Sequence, residues 1–424
     1  MTYDVRMFRR IAAIVFIFLC TAGAWVILGS TILYRTYHWE PSLREKVAGS
    51  WGAPQELLPP SATYPTAVTR KKTSMVNGKQ TEESEVQYVN TPMPLESSKL
   101  DVGLDLDYRQ KGLLWYSTYR VQFAGVYGYR NATGKDQVVT FAFHFPAENA
   151  VYDDMSMAVD GQPVTMDRID PKSMGATVTI PNGASRQFRV SYRSQGLESW
   201  RYGFGSEVAQ VHDFTLRMKT NFADIDFPDN GLSPTTKQRA GAGWLLTWDY
   251  RNLVSGYKIG MKMPVRIQPG PLAGEISYFA PVSLFFYFFA MFMITTIRKI
   301  DLHPMNYFFL AAAFFAFHLL LAYLVDHISI HAAFVIASLV SVGLVVSYLR
   351  LVTGAKFAVR EAGIGQVVYL VLFSYAFFFK GFTGLTVTIG AIVTLFVAMQ
   401  MTGRMDWTRV FAAGPPALPT SPTK

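Results

Sequence analysis

Apolar residues recur along this chain in two rhythms. Unbroken apolar runs occupy 11–33 and then 277–296, 305–325, 332–349, 364–379 and 385–401. A hydrocarbon core of about 30 Å takes about 20 helical residues at ~1.5 Å each, so the six runs predict six transmembrane helices. Between the first run and the second, apolar residues return at every other position. Phe188, Val190 and Tyr192 alternate with Arg189, Ser191 and Arg193, and Phe214, Leu216 and Met218 alternate with Thr215, Arg217 and Lys219. Phe141, Phe143 and Phe145 do the same until Pro146 stops the run. This period marks strands with one face in a core and the other in water. Asp160-Gly161 and Asn182-Gly183 offer the positive-φ pair that tight hairpins favour. The expected fold class is an α+β membrane protein with one N-terminal anchor, a five-helix bundle and a large β-rich, sandwich-like domain between them.

The pattern divides the chain into 1–10, the anchor 11–33, a polar segment 34–276, the bundle 277–401 and a tail 402–424. The stretch 39–94 carries more Pro, Ser and charge, so it predicts loops, with ordered strands starting near Leu100. Pro264, Pro269, Gly270 and Pro271 predict a stiff passage into the second span. Small residues at four-residue spacing, Ala337/Ser341, Gly343/Ser347 and Gly390/Thr394, predict close helix approach in a compact bundle. Ala22-Gly23-Ala24 imitates a signal-peptide cleavage site, but Trp25-Val26-Ile27-Leu28 prolongs the apolar run into a retained anchor.

Charge then orients the spans. Lys and Arg in short loops stay on the cytoplasmic side. Arg6, Arg9 and Arg10 precede the first span; Arg298 and Lys299, then Arg350, Lys356 and Arg360, then Arg404, Arg409 and Lys424 fall on the same side by alternation. The opposite loops, 326–331 and 380–384, contain Lys380 alone. Both termini are therefore expected inside, and 34–276 in the periplasm. The net charge of +9 follows largely from this asymmetry and is no nucleic-acid footprint. Arg70-Lys71-Lys72, Asn77-Gly78 and Glu82, Glu83 and Glu85 suit either a hairpin with opposed charges or a solvated loop. Cys20 is the sole cysteine, so the outer domain, at about 240 residues, must form its core without disulfides.

Candidate chemistry is sparse. His318 is the one ionisable residue deep within a span. It reads either as an interhelical hydrogen-bonding group or as part of a relay with Asp326 and His327 at the outer end of the same helix. His327 and His331 stand at a spacing that two metal ligands on one helix would use, but a third ligand beyond Asp326 is lacking, so no metal and no cofactor is expected. Asp224, Asp226, Asp229, Asn230 and Gly231 resemble a calcium loop, yet Pro228 stands where an oxygen ligand is needed, which favours a turn. Trp200, Tyr202, Phe204, Trp244 and Trp248 read as core or membrane-interface aromatics before a binding groove. Asn131-Ala132-Thr133 is a glycosylation sequon that matters only in a glycosylating pathway. The short cytoplasmic loops and the lack of a Walker motif exclude an ATP-driven pump or a kinase in this chain alone.

Several motifs resemble the bacterial inner-membrane CreD family. They are Trp51-Gly52-Ala53-Pro54-Gln55, Tyr108-Arg109-Gln110-Lys111-Gly112, His303-Pro304-Met305-Asn306-Tyr307, Tyr323-Leu324-Val325-Asp326-His327-Ile328 and Ser347-Tyr348, with Met401-Thr402-Gly403-Arg404-Met405-Asp406-Trp407 closing the last span. The resemblance implies an inner-membrane protein associated with cell-envelope integrity and with tolerance to envelope-directed agents. It supplies no catalytic residue. The expected function is a non-enzymatic one: the bundle anchors the chain in the lipid bilayer and the outer domain engages envelope or membrane protein partners. The alternative is a transporter or channel for a lipid, small solute or protons built on His318, Asp326 and His327. A membrane-embedded enzyme would need more convergent side chains than the sequence offers.

Overall fold

The structure is a computed structural model that describes residues 2–76, 79–148, 150–205, 209–379 and 381–403. The Asn77-Gly78 turn, Lys380, and the terminal Arg404, Met405, Asp406, Trp407, Arg409 and Lys424 lie outside the described residues. The chain divides into a helical unit (1–41, 112–114 and 267–424) and a β unit (42–111 and 115–266).

Among the described residues, six helices are long and apolar enough to cross a membrane, as the apolar runs require. They are α1 (Thr2–Trp51), α2 (Pro269–Ile297), α3 (Pro304–Leu324), α4 (Ile330–Thr353), a fifth span (Ala355–Phe378) and a sixth (Thr383–Thr402). Three starts follow from local chemistry. Pro269 stands in the first turn of α2, where its missing N–H costs nothing. Pro269, Gly270 and Pro271 thus begin the helix instead of forming a passage before it. His303 caps α3, its Nδ1 accepting from Met305 N at 3.2 Å, with Pro304 next. Ser329 caps α4 through Ala332 N at 3.4 Å.

The anchor is not isolated within its unit. Trp25 and Ile14 of α1 belong to the same buried cluster as α2 and α3. A Cβ on Gly29 would stand 3.2 Å from Tyr278 N and 3.4 Å from Gly274 O, so α1 and α2 approach backbone to backbone here. Of the small-residue pairs, Ala337/Ser341 is buried against α3 as expected. Gly343 and Gly390 have nothing within 4 Å of a Cβ, so neither serves a close crossing. The sixth span lies at the margin, with no buried residue among those described.

The β unit has strands well before Leu100. α1 runs through Pro41 to Trp51, because Pro41 deletes one hydrogen bond while Leu43, Arg44, Glu45, Lys46 and Ala48 favour helix. Strands begin at β1 (Gln55–Leu57), β2 (Ser61–Val76) and β3 (Lys79–Pro92). The stretch expected as loops is thus a helix end and a long hairpin. Its register sets Arg70 opposite Glu85, the arrangement that opposed charges favour. Pro65 falls beyond Thr63, the last β2 residue paired with the neighbouring strand on its other side, so its missing donor is tolerated there.

The remaining strands are β4 (Leu95–Lys111), β5 (Leu114–Arg130), β6 (Gln137–His144), β7 (Tyr152–Val159), β8 (Gln162–Pro163), β9 (Asp167–Asp170) and β10 (Ser173–Ile180). They continue with β11 (Ser185–Leu197), β12 (Ser199–Tyr202), β13 (Ala209–Thr220), β14 (Thr236–Ala240), β15 (Gly243–Ser255) and β16 (Ile259–Lys262). They form an eight-stranded sheet (β14-β15-β13-β4-β5-β11-β7-β8), a five-stranded sheet (β3-β2-β6-β10-β9) and a three-stranded one (β1-β12-β16).

The period-two residues face one core. Phe188, Val190, Phe214, Leu216, Met218, Phe141 and Phe143 are all buried, and Phe141 of the five-stranded sheet stacks on Phe188 of the eight-stranded one at 4.8 Å. Asp160 and Gly161 both take positive φ, 49° and 79°, in the two-residue turn between β7 and β8. Asn182-Gly183 does something else. Only Gly183 has positive φ (74°), and the turn joins β10 to β11 across two sheets, so it makes no hairpin.

Candidate functional site

His318 sits in the middle of α3 among aromatic rings. Its ring meets Trp25 edge-on at 5.4 Å and Phe317 at 4.8 Å, and Nδ1 donates to Phe314 O at 2.9 Å. Nε2 is buried and has no hydrogen-bond partner. Asp326 lies eight residues on, about 12 Å along a helix at ~1.5 Å per residue. It faces Arg35 of α1 at 3.7 Å instead. His327 makes a backbone hydrogen bond to Leu324 O at 3.0 Å, and His331 packs on Phe378 at 5.1 Å. His318, Asp326 and His327 are therefore not assembled into one group. Among the described residues, no cluster of three or more His, Cys, Asp or Glu side chains could hold a metal ion.

A different buried polar line runs beside His318. Ser341 of α4 donates to Ala313 O of α3 at 2.6 Å, and Gln366 Nε2 donates to Ser341 Oγ at 2.7 Å. Gln366 is fully buried and its Oε1 lacks a partner. Two π-helical turns, Ala358–Gly363 and Val367–Leu372, flank it, a distortion that often accompanies function. Ser283 of α2 donates to Tyr369 O within the second of these turns. Sequence reading weighted charge and so passed over Gln366. A neutral amide in an apolar run gives a weaker signal than His, though burial without a partner is costly for both.

Several residues singled out in the sequence make contacts within their own unit. Tyr348 OH donates to Asn306 Oδ1 at 2.7 Å, and Tyr307 packs edge-on against Phe288 at 5.2 Å. In the β unit, the Arg109 guanidinium lies 3.4 Å over the Trp51 ring. Gln55 Nε2 donates to Ser194 Oγ and Gln195 O, both at 2.9 Å.

Ion pairs mark both ends of the helical unit. Arg10 of α1 binds Asp301 in the α2–α3 loop at 3.0 Å, and Arg298, which caps α2, binds Glu361 in the first π-helical turn of the fifth span at 2.5 Å; these pairs mark one end. Arg35 and Asp326 mark the other. Near the first end a cleft of about 370 Å³ opens between α2 and the fifth and sixth spans.

The β unit shows no comparable assembly. Asp226 contacts Lys262 at 3.8 Å and Gly231 N donates to Pro228 O at 3.0 Å, so the aspartate-rich segment is a turn. Trp200, Tyr202 and Trp248 are core residues, and Trp244 carries Lys237 and Arg239 over its ring at 4.0 Å each. Asn131 of the sequon is fully buried, its amide donating to Lys135 O and Ile180 O at 2.8 Å each.

Residues 276–408 match the family model described as inner membrane protein CreD. Over that stretch the chain is similar to the CreD family. The CreD match takes in α3 with its His303 cap, the Asn306–Tyr348 hydrogen bond, and the fifth and sixth spans. No curated protein matches the chain. Solved structures that resemble it include a putative nutrient binding protein from Legionella pneumophila, with 13% identity, 47% of this chain and 74% of that one covered, and a TM-score of 0.30. An M1 zinc metallopeptidase from Deinococcus radiodurans shares 12% identity over 40% of this chain and 42% of its own, with a TM-score of 0.26. At such TM-scores neither likeness bears on the fold or activity of this chain.

Proposed function

We propose that this chain is a non-enzymatic inner-membrane protein that supports cell-envelope integrity, its β unit in the periplasm engaging envelope partners and its helices anchoring it. The observation behind the orientation is that Arg10 and Arg298, both on the basic side of the charge pattern, are tied to the α2–α3 loop and to the start of the fifth span. Basic loops remain cytoplasmic, so the chain between α1 and α2 faces outward. The anchoring role draws support from His318, whose ring is engaged by Trp25, Phe317 and Phe314 O and not by Asp326 or His327.

Two measurements test this reading. In a Cys20→Ser background, single cysteines at Ser185 and Thr236 should react with a membrane-impermeant maleimide in cells with a permeabilised outer membrane; protection of both sinks the orientation. In a deletion strain, His318→Ala/Asp326→Ala at wild-type abundance should restore the envelope permeability barrier as fully as the parent. Loss of rescue moves the working site into the bundle.

That outcome would favour a second reading, transport of a lipid, small solute or protons through the bundle. The unpartnered His318 Nε2 and Gln366 Oε1 are the observations behind it. Vesicles reconstituted with the chain should then show a flux that Gln366→Leu abolishes.

A further inference from the structure

The cleft between α2 and the fifth and sixth spans combines three features. Its walls are apolar, built from residues such as Ile294, Ile364, Val368 and Val397. Glu361 lines it with a side chain only 8% exposed, and while one carboxylate oxygen binds Arg298, Oε2 is buried without a partner. Its neighbour Arg360 also lines the cleft and has no ion partner among the described residues. A buried carboxylate oxygen left unpaired is costly, so this site is incomplete as it stands.

We propose that the cleft binds one phospholipid whose headgroup bears a primary ammonium, with the phosphate on Arg360, the ammonium on the Glu361 carboxylate and an acyl chain along Ile364, Val368 and Val397. The charges choose the headgroup. A cation and an anion stand side by side on the same helix, as the phosphate and ammonium do in the lipid. A carboxylate has acceptor capacity for a second donor beyond Arg298. A choline headgroup carries positive charge but no N–H, and a glycerol headgroup carries no positive charge at all. The sixth span, held to the fifth by Tyr369 OH donating to Thr394 Oγ1 at 3.1 Å and burying no described residue, leaves the cleft open to entry from the bilayer.

The test uses the full chain in detergent, examined by native mass spectrometry with equal amounts of phosphatidylethanolamine, phosphatidylcholine and phosphatidylglycerol. The ethanolamine lipid should be retained roughly tenfold over the choline lipid, about 1.4 kcal/mol, within the range of a hydrogen bond to a charged group. Glu361→Gln should erase that preference, and Arg360→Ala should weaken retention of all three lipids. Ala398→Trp fills the cleft without touching the Arg298–Glu361 pair, so it should abolish selective retention at an unchanged melting temperature even where Glu361→Gln folds poorly. Equal retention of the three lipids overturns the proposal. So does a preference that survives both Ala398→Trp and Glu361→Gln, which would mark a lipid of the annular shell, and so does selection of the glycerol headgroup.

Discussion

Trp25, Phe317 and the Phe314 carbonyl define what His318 does in the bundle. A ring that fills space between two aromatics and ties back to its own helix is replaceable by a ring of similar shape. His318→Phe should therefore keep the melting temperature near that of the parent, whereas His318→Ala should cost about 3 kcal/mol as a cavity opens, by comparison with large-to-small core changes. Thermal unfolding of both variants in detergent checks the difference, and equal losses would point to the imidazole nitrogens. In the β unit, burial pushes the Tyr152 phenol up to about 12, and Tyr119, Tyr127 and Tyr192 are raised by burial as well. A raised folded pKa gives stability that is fully present below the ordinary value of 10 and is lost as pH rises through the folded one. The share of the tyrosinate absorbance that belongs to these buried phenols should accordingly appear in a cooperative step with unfolding above pH 10, and Tyr152→Phe should soften that step. The Asp170 carboxyl is held below its usual range by the Ser173 hydroxyl and by Lys172 N–H. The stability it contributes is present above the ordinary Asp pKa and lost as pH falls through the depressed one, so Asp170→Asn should flatten the acid limb of the melting curve.

At the scale of elements, the close crossing of α1 and α2 rests on missing side chains. Gly274→Leu would drive new atoms into Leu33 and should destabilise by about 2 kcal/mol, as overpacking does. Gly343→Ala and Gly390→Ala meet open space and should be neutral or slightly stabilising in a thermal melt. Sequence spacing pointed to Gly343 and Gly390 and passed over Gly29 and Gly274. The i,i+4 rule ranks faces within one helix and says nothing about which neighbour a face will meet. Strands were legible wherever a core imposed alternation, as in β6, β11 and β13. The β2–β3 hairpin was not, because much of it is exposed on both faces and its sequence carries β propensity without alternation. The helical end of α1 was hidden by Pro41, which reads locally as a break although the flanking residues carry the helix past it.

At the scale of the whole molecule, six apolar runs and the period-two alternation between the first two were enough to set the architecture of membrane helices plus a β-rich unit. The polar sites were far less legible. Glu361 looks like an ordinary loop charge in the sequence, and only three-dimensional packing brings it under α2 to meet Arg298 and to line the cleft. Gln366 likewise becomes notable only when Ser341 is seen to arrive from another helix.

Asn131 has a further consequence for work with this chain. Its amide is enclosed by the β5–β6 turn, where Thr133 Oγ1 also donates to Asn131 Oδ1 at 2.7 Å, so a closed β unit offers nothing to an oligosaccharyltransferase. Produced through a eukaryotic secretory route, chains bearing sugar at Asn131 would be those that met the transferase before this turn closed. The glycosylated fraction is then a built-in clock for how quickly the β unit folds.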